Sequence, residues 1–276
     1  NLLSEYATTI PSSTFGIKST VSLYDHLKLS AAIAGCLYYE ECFDKDRFCM
    51  LEIDVSGIQS FIYKITEGSG TKPGLTKALR GRSTLVGIVS NAIAYSFLNE
   101  FDLPSSNIIF NTGGGSLLLL PYMSNVEAKI EEHAKKVERC LFDLFKTDLS
   151  FAYAVIDLDS EELETFKSDK ALDLKEKLEA KKMRKFSGII DQNLFHDAQI
   201  GEKCTTCGNV KVNGHWHVCE TCQNLSEIYT KNESFGVMYD FDKYGLSKIS
   251  NVEINLGFVD VYFIDRKEEA GTIEGN

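Results

Sequence analysis

No stretch of this 276-residue sequence approaches the ~20 consecutive apolar residues that a membrane-spanning helix needs. No segment has the charged-then-apolar pattern of a secretory leader, which points to the cytoplasm. Positive charge is scarce too. Lys and Arg total 29 against 40 Asp and Glu, a net charge of −11. That excludes the wide basic surface of a protein that grips nucleic acid unaided, so nucleic-acid contacts are expected to be local or delegated to partners. Internal repeats and low-complexity tracts are missing, which excludes a solenoid or a disordered tail. The chain lacks a starting Met, and "RKEEAGTIEGN" at its end carries no closing element. Both ends read as cuts in a longer protein.

What is present is ordinary globular material: 43% apolar and 25% charged residues, enough for one to three domains with a substantial core. Residues 20–43 carry Leu23, Leu27, Ala31, Ala34 and Leu37 at helical spacing. Asp25 and His26 inside that stretch read as a polar pair on the helix face. "FCMLEIDVSGIQSFIYKI" (48–65) opens as a strand over Met50–Val55, is broken by Ser56-Gly57, and continues as a short helix. "TEGSGTKPG" links it to a long helix from Leu75 to Phe101 with Leu79, Leu85, Val86, Val89, Ile93, Phe97 and Leu98 on its apolar face. "IIFNTGGGSLLLLP" (108–121) is a hairpin. Ser124 to Phe145 is an amphipathic helix stepping through Val126, Ile130, Ala134, Val137, Leu141 and Leu144, and "FAYAVIDLD" (151–159) is a strand. A charged helix follows over Glu161–Lys185, and strand-like runs occupy 235–265. Strand, helix, hairpin, helix, strand is the βαββαβ succession of the ferredoxin-like fold. The expected class is α+β.

Two features carry chemistry. The first is "CTTCGNVKVNGHWHVCETC", in which Cys204, Cys207, Cys219 and Cys222 form two C-x2-C pairs. Each pair turns tightly enough for two thiolates to face one metal, and four cysteines make a closed tetrahedral shell. A structural zinc ribbon is expected, with Asn213-Gly214 as its turn and His215 and His217 as strand side chains. The other four of the eight cysteines, Cys36, Cys42, Cys49 and Cys140, read as buried thiols. A cytosolic setting argues against disulfides.

The second feature is the glycine run of the hairpin. Glycine supplies the positive φ angles of tight hairpin turns, yet one or two would be enough. Asp54 ends the preceding strand. Palm-type nucleotidyl transferases use a carboxylate there, with acids at the tip of the central hairpin, to hold two divalent ions. Here the tip is Gly113-Gly114-Gly115-Ser116. Its form is that of a palm hairpin without the metal-binding acids.

Four stretches together identify a family: "VSLYDHLKLSAAIA" (21–34), "IDVSGIQSFIY" with "LRGRS" (53–63 and 79–83), "NTGGGSLLLLP" (111–121), and the four-cysteine cluster followed by "ESFGVMYDFDKYG". The chain resembles the large subunit of type III CRISPR effector complexes, in its III-A form, the palm-domain protein that makes cyclic oligoadenylates. The resemblance implies a terminal helix of an upstream HD-type nuclease domain over 1–45, with Asp25 as a distal ligand, and a degenerate first palm over 46–160. It implies a helical and zinc-ribbon domain over 161–234 and the start of a second, strand-rich palm over 235–276.

In the family the two palms pair and bring two ATP molecules together with Mg or Mn, and the second palm carries a Gly-Gly-Asp-Asp hairpin. Neither that motif nor the His-Asp nuclease motif occurs here, so no catalytic residue is assigned. The resemblance makes Asp54, Ser56, Gly57, Arg80, Arg82, Gly113, Gly114, Gly115 and Ser116 the candidates for holding an ATP. Ordinary exposed helix-end arginines remain the other reading of Arg80 and Arg82. The implied partners are the other protein subunits of an antiviral effector complex and, through it, guide and target RNA, with no membrane. Two other classes stay open. One is a free-standing nucleotidyl transferase using Asp54 with Asp157 or Asp159. The other is a zinc-ribbon interaction module without a nucleotide role.

Overall fold

The computed structural model describes residues 2–15, 19–64, 75–165, 168–190, 235–241 and 253–265. The four-cysteine cluster, Cys204 to Cys222, lies outside the described residues. The chain groups into two compact units. The first comprises residues Asn1–Asp54, Phe97–His133 and Ala152–Met183, and the second Val55–Ser96, Ala134–Phe151 and Arg184–Asn276.

Four strands form one sheet: β1 (Arg47–Ser56), β2 (Ile108–Asn111), β3 (Gly115–Pro121) and β4 (Ser150–Asp159), in the order β2-β3-β1-β4. β1 and β3 are antiparallel, in register from Phe48 opposite Pro121 to Asp54 opposite Gly115. β2 and β3 are antiparallel as well, with a bulge between Ile108 and Phe110. Between β1 and β2 the chain forms the short helix α4 (Ile58–Ile62) and the long α5 (Leu75–Glu100), and α6 (Val126–Phe145) joins β3 to β4. The α+β class and the strand, helix, hairpin, helix, strand succession are as the sequence predicts.

Within the first unit the alternation of strand side chains sorts them by face. Phe48 and Met50 of β1, Leu119 of β3, and Ala152, Ala154, Ile156 and Leu158 of β4 share a core with Ala32 and Cys36 of α2 (Leu23–Leu37) and with Leu174 and Leu178 of α8 (Ser168–Lys182). Leu51, Ile53, Leu118 and Leu120, on the other face, are also buried. Asn107, buried in the 3-10 turn Ser105–Asn107, donates from Nδ2 to the carbonyls of Ala32 (3.1 Å) and Leu119 (2.9 Å).

Helix boundaries differ from the expectation in three places. The 20–43 stretch is two helices, α2 and α3 (Glu40–Lys45), because Tyr39 adopts an extended backbone (φ −83°, ψ 121°). α2 begins at Ser22, whose Oγ accepts from Asp25 N at 3.0 Å and contacts Asp25 Oδ2 at 2.7 Å. Asp25 is thereby a helix-start residue. The 161–185 stretch holds α7 (Ser160–Thr165) and α8. On α6, Leu144 faces water while Phe142 and Phe145 are buried. An additional short helix, α1 (Leu2–Ala7), had no clear signal.

The second unit holds α4, most of α5 and a three-stranded antiparallel sheet of β5 (Phe235–Asp240), β6 (Glu253–Asn255) and β7 (Asp260–Asp265), ordered β5-β7-β6. Tyr239 of β5 lies against the Tyr95 ring of α5, with centroids 5.4 Å apart. Phe61 and Phe145 meet edge to face at 5.7 Å. Among the described residues no helix is long and apolar enough to cross a membrane.

Candidate nucleotide site

The hairpin closes on Thr112 and Gly115. Thr112 N–H donates to the Gly115 carbonyl (2.8 Å), and Gly115 N–H returns a bond to Thr112 O (3.2 Å), leaving Gly113-Gly114 as a two-residue loop. The favoured turns for such loops need positive φ. Among the described glycines positive φ occurs at Gly57 and Gly257, not in the hairpin, so turn conformation does not call for the run. Packing does not require it either. A Cβ at Gly113 would meet nothing within 4 Å, and one at Gly115 would reach only ordinary contact, 3.7 Å, with Ile53 O and Thr112 Oγ1. What glycine leaves here is uncovered backbone. Ser116 below it is buried and donates from Oγ to Asn111 Oδ1 at 2.9 Å, so its hydroxyl braces the hairpin from within.

Asp54 is the residue directly across from Gly115, on the α8 side of the sheet. Its carboxylate is half-buried and lies 3.1 Å from Lys182 Nζ at the end of α8. Lys182 also donates to Glu179 Oε1 at 2.9 Å. Burial alone would depress the Lys182 ammonium, but its bonds to Glu179 and Asp54 and their charges hold its pKa raised. Glu52, two residues before Asp54 on the same face, is pushed up by burial and by Asp54 and Glu179, against the relief given by Lys182 and Lys175. The sequence carried no sign of Lys182: it sits in a run of charges that reads as a solvated helix face.

The remaining candidates belong to the second unit. Gly57 has φ +92°, and a Cβ there would overlap the Asp148 carbonyl oxygen, so this glycine is demanded by backbone and packing together. Lys64 pairs with both oxygens of Asp148 (2.9 and 2.7 Å). Ser56 is half-exposed and Arg80 exposed. Arg82 is a correction. Only 3% exposed, it donates from Nη1 to the carbonyls of Phe61 (3.1 Å), Ile62 (3.4 Å) and Lys64. It satisfies the orphan carbonyls at the end of α4 and is not presented to a phosphate.

Asp157 and Asp159, the acids offered for a free-standing two-metal transferase, do not gather at Asp54. Asp157 accepts from Cys49 Sγ and pairs with Arg47, each at 3.3 Å, at the far end of β1. Asp159 accepts from Glu162 N (2.8 Å) at the start of α7. Among the described residues no three His, Cys, Asp or Glu side chains are placed to share a metal. Cys36, Cys42 and Cys49 are buried thiols as expected, while Cys140 is half-buried. Cys204, Cys207, Cys219 and Cys222, expected to bind zinc, lie outside the described residues; four thiolates are a donor set that suits tetrahedral zinc.

The family model for Csm1 subunit domain B matches residues 47–199, more than half of the chain. The chain belongs to the Csm1 family. Csm1 is the large subunit of type III-A CRISPR complexes. Among curated proteins the chain is similar to Cas10/Csm1 single-strand-specific deoxyribonucleases of subtype III-A. It is 28% identical to that of Thermococcus onnurineus over 82% of this chain and 32% of the relative. It is 30% identical to that of Enterococcus italicus over 75% and 30%, and 28% identical to that of Mycobacterium tuberculosis over 89% and 35%. The chain thus spans about a third of these Csm1 relatives. Among solved structures, the Csm1-Csm4 cassette with cA4 aligns over 96% of this chain and 32% of that one at TM-score 0.68 and 22% identity. The Csm1-Csm4 subcomplex of the type III-A interference complex aligns over 96% and 33% at 0.69 and 23%. These likenesses establish the Csm1 fold.

Proposed function

We propose that residues 46–160 are a degenerate, ferredoxin-like palm that holds one ATP, as its complex with Mg or Mn, for cyclic oligoadenylate synthesis by a second palm of the same protein. The carrying observation is the glycine tip: at Gly113 and Gly115 neither a positive φ nor packing demands glycine, and Gly115 is directly across from Asp54. The N–H groups of Gly114 and Gly115 both turn back to Thr112 O, and at the exposed Gly113 no side chain keeps a phosphate oxygen from the backbone. The strand order β2-β3-β1-β4 supports the palm reading. So do the relatives solved with AMPPNP, with one ATP, with pppApA and with the cyclic products cA3 and cA4.

Asp54, already paired with Lys182, faces glycine and not an acid across the hairpin, which suits nucleotide holding more than metal-assisted transfer. Gly114 and Gly115 complete the loop. Ser116 supports the site by bracing the hairpin from within.

To the chain we further assign a four-cysteine module, with one structural zinc on Cys204, Cys207, Cys219 and Cys222, and an assembly with further effector subunits. The Csm1 relatives crystallised with Csm4 are the support for a protein partner. Guide and target RNA would be met through that assembly, in keeping with the acidic net charge.

The test is Gly113→Ala in the protein carrying both palms. Since a Cβ there meets nothing, the melting temperature should hold, while ATP binding and oligoadenylate synthesis fall. Unchanged ATP binding and synthesis in that variant would make the hairpin purely structural and remove the site assignment.

A further inference from the structure

We infer that Lys182 is a phosphate-binding residue of the hairpin site, its ammonium group standing beside Asp54 to receive a nucleoside triphosphate. The inference rests on the nucleotide reading above and adds a residue that lies outside every motif of the sequence.

Position is the first argument. Asp54 pairs across the sheet with Gly115, and Lys182 Nζ is 3.1 Å from its Oδ2. The ammonium is therefore fixed beside Asp54, the residue opposite Gly115. α8 is held there by Leu174 and Leu178 in the shared core, so the lysine projects from an anchored element. Lys175, Glu179 and Lys182 recur at four and three residues, one face of the helix. That face bears on Glu52 and Asp54, as the electrostatic influence of Lys175, Glu179 and Lys182 on Glu52 shows.

Valence is the second. An ammonium group carries three N–H donors. Asp54 and Glu179 account for two. One is left for a ligand oxygen, and the side chain is 25% exposed, so that donor can be reached. A part-exposed ion pair adds little to stability, which makes a purely structural purpose a weak explanation for its place.

Charge sets the chemical class. Glu52, Asp54 and Glu179 carry three negative charges against two on Lys175 and Lys182. A bare polyanion would meet a net negative surround. A divalent ion carried by a triphosphate lowers that repulsion, and it would face the carboxylates while the phosphate oxygens face the lysine. The ligand is accordingly a metal-complexed nucleoside triphosphate.

The experiment is calorimetric titration of the 276-residue chain with ATP, ADP and AMP, each with excess Mg, for wild type, Lys182→Gln, Lys182→Arg and Gly113→Ala, with melting curves on all four. Lys182→Gln should weaken ATP binding about tenfold, as expected for a lost charge-assisted hydrogen bond. It should also flatten the preference for ATP over AMP, and Lys182→Arg should restore much of both. A structural role would instead shift all three nucleotides equally, along with the melting temperature, and would overturn the inference. Gly113→Ala separates the two levels. If it weakens ATP binding while Lys182→Gln does not, the lysine assignment falls alone. If neither variant changes ATP binding, the nucleotide site falls and the lysine with it.

Discussion

Asp240 on β5 and Asp260 on β7 are directly opposite partners in an antiparallel ladder, and both are buried. Among the described residues, Oδ2 of Asp240 and Oδ1 of Asp260 have no hydrogen-bond partner. Like charges directly opposite destabilise a sheet, and a buried carboxylate oxygen without a partner adds its desolvation cost. Asp260→Asn removes one charge and offers an amide donor to the other carboxylate. It should raise stability by about 1–3 kcal/mol in urea unfolding. A loss of stability would mean that the pair is neutralised by a bound cation or by another part of the protein.

Glu52 should make stability depend on pH. Its carboxyl is pushed above the ordinary 4.5, by burial first and then by its acidic neighbours, so the fold favours its protonated form. The stabilisation belonging to that form is complete below the ordinary value and is lost as pH rises through the raised one. Glu52→Gln should melt higher than wild type near about pH 7, and the gap should close towards about pH 4. A gap that widens on acidification would refute the assignment.

Two glycines should behave oppositely. Gly57→Ala forces a Cβ into the Asp148 carbonyl at a left-handed φ, and a loss of about 2–4 kcal/mol is expected. Gly113→Ala meets open space at an ordinary φ and should leave the melting temperature unchanged or slightly raised. Thermal melts of the two variants side by side decide the point. Equal losses would contradict the contrast.

Zinc should be present at one ion per chain. Cys207→Ser removes one of four thiolates, so the metal should be lost and residues 200–225 loosened, since metal affinity is folding energy in such modules. Elemental analysis of protein purified without chelators is the measurement. Protein free of stoichiometric zinc would rule the site out.

Much of the sheet was legible because its strands alternate. Glu52 and Asp54 break an apolar run at every second residue, and that alone marks β1 as half-covered at one end. The break between α2 and α3 was not legible, because apolar residues continue at helical spacing through Tyr38 and Tyr39 while only the backbone of Tyr39 departs. On α6, Phe142, Leu144 and Phe145 are all apolar, and spacing by three or four does not say which faces water. Arg82 was misread because charge ordinarily implies exposure; the end of a five-residue helix consumes it instead. Lys182 was invisible, since its partner Asp54 is distant in sequence and only the packing of α8 joins them.

Asn107 has a mechanical meaning. Its one amide group holds the carbonyl of Ala32 on α2 and that of Leu119 on β3 at once. Sliding α2 by even one residue would strand a buried donor, at a penalty of about 1–3 kcal/mol. The helix is thus indexed to the sheet at a single notch. β3 leads from that notch to Gly115, so a pull on α2 loads the same strand that ends at the glycine tip.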